Sequence, residues 1–208
     1  MIIIFSPHSD DAELGCGGAI SKFSFSNNKC LNVIFSCYNG DRKAEAIKSA
    51  QYLNMEVCFG NFIDGEFDKE PFKNFVLFMD NIFKSYKVDS LFIPYPSFHQ
   101  DHEIVYKAAI AALRPYSSNS SIKKILQYEL PYTYWGPKID GSSVYIPLSG
   151  EDVKNKLESI KCYSSQISIE KYHPRNLNVV KDWTKMRGME ISTEYAEKFY
   201  LVKEIWNW

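Results

Sequence analysis

Met1-Ile2-Ile3-Ile4-Phe5-Ser6-Pro7-His8-Ser9-Asp10-Asp11 opens the chain, and its reading decides the fold class. The apolar run over residues 1–5 has no alternation, which is the mark of a strand buried on both faces in a parallel sheet. It breaks at Ser6-Pro7 and leads straight into one imidazole and two carboxylates. Side chains just past the C-terminal end of such a strand line the ligand crevice of an open α/β sheet. Helical spacing follows at once, through Leu14, Ala19, Ile20 and Phe23.

The same alternation runs on. Residues 31–37, 56–59 and 90–94 read as further strands, and Ala46, Ile47, Ala50 and Leu53 mark a second helix. Phe72, Phe75, Val76, Met79, Ile82, Phe83 and Tyr86 form the strongest helical stripe, and a stripe of this period is read as core rather than as a binding surface. Val105, Ala108, Ala109, Ala112 and Leu113 give a helix that follows directly on His102. Residues 117–121 are a polar loop, 123–130 and 143–146 read as late strands, and Val153, Leu157 and Ile160 share one face of a late helix. This order predicts an α/β, Rossmann-like fold: a mostly parallel sheet flanked by helices, in a single domain over residues 1–208.

Composition sets limits on function. The 208 residues are 45% hydrophobic and 24% charged, enough for one well-buried core. A formal net charge of -1, without a dense Lys/Arg cluster, argues against nucleic acid as a partner. The opening run lacks a basic flank and a cleavage pattern, and no apolar run is long enough to span a bilayer, so a cytoplasmic protein without a membrane segment is expected. Five cysteines without a CxxC pair point to reduced, mostly buried thiols and exclude a zinc ribbon.

Three of the four histidines fall in two short segments, Pro7-His8-Ser9-Asp10-Asp11 and His99-Gln100-Asp101-His102, each after a predicted buried strand. A hydrolytic zinc site takes three ligands from His and carboxylate and keeps one position open for water. His8, Asp11 and His102 supply that set. Asp10 is then free to act as general base on the water, and His99, held by Asp101, is placed to stabilise an oxyanion or to protonate a leaving amine. Hydrolysis of an amide or ester is the reaction implied. Iron(II) or cobalt(II) fits the same two imidazoles and one carboxylate.

Plainer readings exist for each feature. Asp10-Asp11 after a strand also suits a helix N-cap followed by a first-turn acid. Gly15-Cys16-Gly17-Gly18 invites a dinucleotide-binding reading, but it lacks the G-x-G-x-x-G spacing, and close helix–sheet packing explains it better. His173, before Pro174, is read as a structural or solvent-facing loop residue.

The segment His8-Ser9-Asp10-Asp11-Ala12-Glu13-Leu14-Gly15-Cys16-Gly17-Gly18 resembles the PHPDDEE-x-G-x-G-G signature of the PIG-L/LmbE-like zinc-dependent N-deacetylases, and His99-Gln100-Asp101-His102 resembles their HPDH. Arg42-Lys43-Ala44-Glu45 is similar to the family's R-x-x-E, Tyr163-Ser164-Ser165-Gln166 to its Y-x-S-Q, and Tyr195-Ala196-Glu197-Lys198-Phe199 to its late YAE-x-F. The resemblance implies a single Rossmann-like deacetylase domain that hydrolyses the N-acetyl amide of a small amino-sugar conjugate or sugar nucleotide. It implies that zinc would be held by His8, Asp11 and His102, with Asp10 as the base and His99 with Asp101 as the oxyanion or acid partner. It also implies that Arg42 contacts substrate hydroxyls or phosphate, against the plainer reading of an ion pair with Glu45. Phe98, Tyr134 and Trp135 are candidates for stacking on a sugar ring, with residues 132–137 as a covering segment. Small homo-oligomers are common among such proteins. Ser9, Ala12 and Gln100 depart from the signatures without touching a ligand or the base, so they bear on substrate choice. Two other readings stand beside this one: a catalytically silent metal- or sugar-binding relative, and a nucleotide-binding Rossmann domain.

Overall fold

The computed structural model describes residues 1–37, 40–115, 122–131 and 141–206. A seven-stranded sheet has β1 (Ile2–Ser6), β2 (Cys30–Ile34), β3 (Glu56–Phe59), β4 (Ser90–Pro94), β5 (Lys124–Tyr128), β6 (Ser143–Leu148) and β7 (Tyr195–Glu204) in the order β3-β2-β1-β4-β5-β7-β6. Neighbouring strands from β3 through β5 pair in parallel, and β7 runs antiparallel to both β5 and β6. The mostly parallel Rossmann-like sheet is as the sequence predicts. Every residue of β1 and β2 is buried, and Asn32, the polar residue in the middle of β2, accepts from Ser6 Oγ at 2.7 Å.

Among the described residues, six α-helices cover the sheet: α1 (Asp11–Ser24), α2 (Gly40–Tyr52), α3 (Phe72–Ser85), α4 (Gln100–Ala112), α5 (Gly150–Lys161) and α6 (Leu177–Met189). One core joins α3 and α4 to the sheet, and in it Phe75, Met79, Ile82 and Phe83 bury the face that the helical stripe marks, while Phe72 at the stripe's start is exposed. A second core joins α1, α5 and α6 to the opposite side. Two elements go beyond the sequence pattern. The buried stripe of α6 is Val180, Thr184 and Gly188, which carries little hydrophobic signal, and β7 interrupts its apolar residues with a buried Glu197.

The glycines of α1 serve packing. A Cβ on Gly15 would lie 2.2 Å from Tyr128 Cδ2, and one on Gly18 would lie 2.4 Å from Leu148 Cδ1. The helix also breaks at Cys16, whose φ of -144° and ψ of 19° are not helical. The break exposes backbone groups that need partners in the interior. Glu197 accepts from the Gly18 and Ala19 amides at 2.9 and 2.7 Å, and Lys156 Nζ donates to the Leu14 carbonyl at 2.8 Å and to Glu197 at 2.6 Å. Both side chains are buried, so each charge relies on the other. Replacing Glu197 by Ala leaves an uncompensated buried ammonium and two orphaned amides. We expect it to cost about 3–5 kcal/mol of stability, read as a lowered midpoint in urea unfolding.

Candidate metal centre and active site

β1 and β4 lie side by side, so the turns that leave their C-terminal ends meet. The first turn is closed by the His8 amide donating to Asp11 Oδ2 at 2.8 Å. Asp10 occupies the N-cap position of α1, yet its side chain makes no capping bond, which sets aside the plain helix-cap reading for this carboxylate. The second turn places His99 as the N-cap of α4 and brings Asp101 and His102 into the helix's first turn. His8, Asp10, Asp11, Asp101 and His102 are all buried.

Asp11 stands between two imidazoles. Its Oδ2 lies 3.5 Å from His8 Nδ1 and 3.4 Å from His102 Nε2, and donor atoms of the three residues all fall within 4.8 Å of one another. Ligands about 2.0–2.1 Å from a tetrahedral ion sit about 3.3–3.4 Å apart, so the spacing suits a divalent cation. The protonation pattern fits as well. Burial lowers the pKa of His102 to about 4 against the pull of Asp11, which keeps the ring neutral, and its Nδ1 is buried without a hydrogen-bond partner among the described residues. Burial would raise the pKa of Asp11, but His102 and His8 outweigh it and hold the group as a carboxylate. These three residues can hold a metal ion.

The far side of His8 is crowded with acids. Its Nε2 lies 3.0 Å from Asp101 Oδ2 and 3.2 Å from Asp64 Oδ1. Burial alone would lower the pKa of His8, but hydrogen bonds to Asp101, Asp11 and Asp64 raise it well above 6.5. A carboxylate at Nε2 fixes the proton there and turns Nδ1 toward Asp11, an arrangement common behind metal-binding histidines. Asp101 is held in turn by amides, accepting from Gly65 at 2.8 Å and Phe67 at 3.4 Å. Gly65 can offer its amide because it adopts φ +74°, a left-handed conformation that favours glycine.

The geometry corrects one expectation. The carboxylate of Asp101 hydrogen-bonds to His8, and Asp101 is linked to His99 through its backbone amide, which donates to His99 Nδ1 at 3.2 Å. A carboxylate at Nδ1 would require a proton there, whereas an amide donor requires the lone pair. The neutral ring of His99 therefore carries its proton on Nε2. His99 packs beside the other two histidines, with ring centroids 4.9 Å from His8 and 5.2 Å from His102.

Arg42, near the start of α2, pairs with Asp64 Oδ2 at 3.2 Å. Its expected alternative partner, Glu45, instead accepts bonds from Ser164 Oγ, Ser165 N and Ser165 Oγ. Phe98 is exposed just before His99. Tyr134 and Trp135, with the rest of the expected covering segment 132–137, lie outside the described residues.

Asp64 and Arg175 have no clear signal in the sequence, whereas Glu13 stands inside the first signature without a role assigned to it there. Asp64 precedes Gly65 in a dipeptide that reads only as a turn. Arg175 reaches Asp10 Oδ2 with its Nε at 2.8 Å from the loop between α5 and α6. Glu13 is buried against Ser49 and Tyr163, and burial lifts its pKa to about 7.

The family model described as PIG-L, GlcNAc-PI de-N-acetylase, matches residues 3–113, which is more than half the chain and holds His8, Asp11 and His102. The chain belongs to the PIG-L family. A comparison with curated proteins gives no match. Among solved structures, it is similar to the zinc-inhibited form of teicoplanin deacetylase Orf2 (TM-score 0.80, 15% identity, covering 96% of this chain and 97% of that one). It is also similar to N,N'-diacetylchitobiose deacetylase from Pyrococcus horikoshii (TM-score 0.75, 20% identity, 97% and 83%). GalB, the 4-carboxy-2-hydroxymuconate hydratase from Pseudomonas putida KT2440, shares the fold too (TM-score 0.75, 16% identity, 100% and 98%). At these identities the likeness concerns the fold, and the hydratase shows that PIG-L-like architecture accompanies more than one named activity.

Zinc added to metal-free protein is expected to bind with one-to-one stoichiometry in calorimetry and to raise Tm. Asp11→Asn should remove that shift, and Asp101→Ala should weaken binding about 10–100-fold through the loosened His8 ring.

Proposed function

We propose that this PIG-L family member is a metal-dependent N-deacetylase of a small amino-sugar conjugate. The observation that carries the reading is Asp11 Oδ2 set 3.4–3.5 Å from one nitrogen of each of two histidines, with the buried carboxylate of Asp10 next to it in the chain. A divalent cation held by His8, Asp11 and His102 supplies Lewis acidity, with zinc the first choice and iron(II) or cobalt(II) suited to the same donors. The chain's own groups do the rest.

Asp10 takes the proton from the attacking water. Burial raises its pKa, with Asp11 adding to the rise and Arg175 opposing it, which makes the carboxylate a better base than an exposed aspartate. The water oxygen bonds to the amide carbon, and His99 offers its Nε2–H to the oxygen on which charge develops. The C–N bond then breaks, the proton passes to the leaving nitrogen, and acetate and a free amine are the products. Arg42 and Asp64 pair a donor with an acceptor at the rim, suited to neighbouring sugar hydroxyls, and Phe98 offers a ring face to a pyranose.

No described helix is long and apolar enough to cross a membrane. A soluble conjugate or sugar nucleotide met in the cytoplasm is therefore the substrate class we favour over a membrane lipid.

Acetate release from a panel of soluble N-acetylated amino sugars and sugar nucleotides tests the reading. We expect the zinc-loaded protein to release acetate, EDTA to stop it and zinc to restore it. Asp10→Asn should retain the metal while kcat falls about 10²–10⁴-fold, the range for loss of a general base. Full turnover in the presence of the chelator, or in Asp10→Asn, would reject the mechanism.

A further inference from the structure

Asp10 declines the role its position offers. An aspartate at a helix N-cap ordinarily accepts from the amides of the first turn, but the side chain of Asp10 makes no such bond. Its carboxylate is buried and is met by a residue 165 positions away, Arg175, whose Nε donates to Oδ2 at 2.8 Å. A charge-assisted bond of this length fixes the plane of a carboxylate that no capping bond constrains.

The segment that delivers Arg175 is tied down at both ends. At its start, the Tyr163 hydroxyl contacts the Ser9 carbonyl and lies 2.9 Å from Glu13 Oε1, while Ser164 and Ser165 bind Glu45 of α2. At its end, the Arg175 amide donates to His173 Nδ1 at 3.1 Å, Asn176 donates its amide to the His173 carbonyl at 2.8 Å, and the Asn176 side chain caps α6 by accepting from Asn178 at 2.9 Å. His173 thus has a structural task in setting the backbone from which Arg175 projects. Residues 163 and 175 grip two consecutive residues of the metal turn, Ser9 and Asp10.

We propose that Arg175 is the positioning residue for Asp10. By occupying Oδ2 it fixes the carboxylate in one orientation and leaves Oδ1 as the oxygen that receives the proton. This rests on Asp10 acting as the base. Arg175 belongs to none of the motifs around the metal donors, and it acts through Asp10 rather than on the substrate.

The test uses the zinc-loaded full chain and a substrate found by the acetate panel. Arg175→Ala should lower kcat about 10²-fold, the scale of a misplaced catalytic group, with KM and zinc content unchanged. Guanidinium added in solution should restore part of the rate. Adding Arg175→Ala to Asp10→Asn should cause no further loss and no rescue, since the two residues act as a unit. A raised KM with kcat intact, or losses that multiply in the double variant, would overturn the proposal and make Arg175 a substrate contact. If the wild type releases acetate from no substrate, the deacetylase reading fails. The pair is then judged by thermal unfolding of Arg175→Ala, Asp10→Asn and the double variant. Coupled shifts in Tm support the contact, and additive shifts reject it.

Discussion

Parallel pairing of β1 with β4 is the constraint on which the rest of the molecule depends. Ile2 sits opposite Ser90 and Ile4 opposite Phe92, so two chain segments about ninety residues apart end at the same level of the sheet. Strand order reverses here, with β2 and β3 on one side and β5 on the other. Connections that run to opposite faces leave a crevice between two such strands. His8 and Asp11 enter it from one strand, and His99, Asp101 and His102 enter from the other. No single segment holds the donor set.

A crevice lined by four buried or half-buried carboxylates would be costly if they shared one neutral pocket, because unpaired interior charge is penalised by several kcal/mol. The chain separates their debts. Asp10 has Arg175, Asp64 has Arg42, Asp101 has two backbone amides and His8, and Asp11 has two imidazoles. These partners lower the pKa of Asp11, Asp64 and Asp101, whereas burial raises that of Asp10 against the pull of Arg175. The same logic recurs behind the site, where Lys156 and Glu197 meet the broken backbone of α1.

Much of this was legible in the residues. The apolar run of β1, the helical stripe of α3 and the two histidine-bearing turns carry signals that depend on local spacing alone, and the fold and the cluster of His8, Asp11 and His102 follow from them. Arg42 stands in a motif, but its partner Asp64 lies in a turn with no periodicity. Arg175 was invisible for the same reason: a loop cation declares itself only through the distant group it meets. α6 hides behind Thr184 and Gly188 at buried positions, and β7 behind Glu197. In both cases close packing or a buried charge replaces the apolar side chain that a pattern search weighs. The exchange of Asp101 from His99 to His8 is a matter of one helical turn, below what spacing can resolve.

The brace on α1 has a consequence for biosynthesis. Residues 3–113 hold every proposed metal donor, but the break at Cys16 is satisfied by Lys156 and Glu197. During synthesis the turn that carries His8 and Asp11 precedes the residues that brace α1, Lys156 of α5 and Glu197 of β7. A product that stops short of β7 therefore carries the proposed donors without the contacts that close the break in α1.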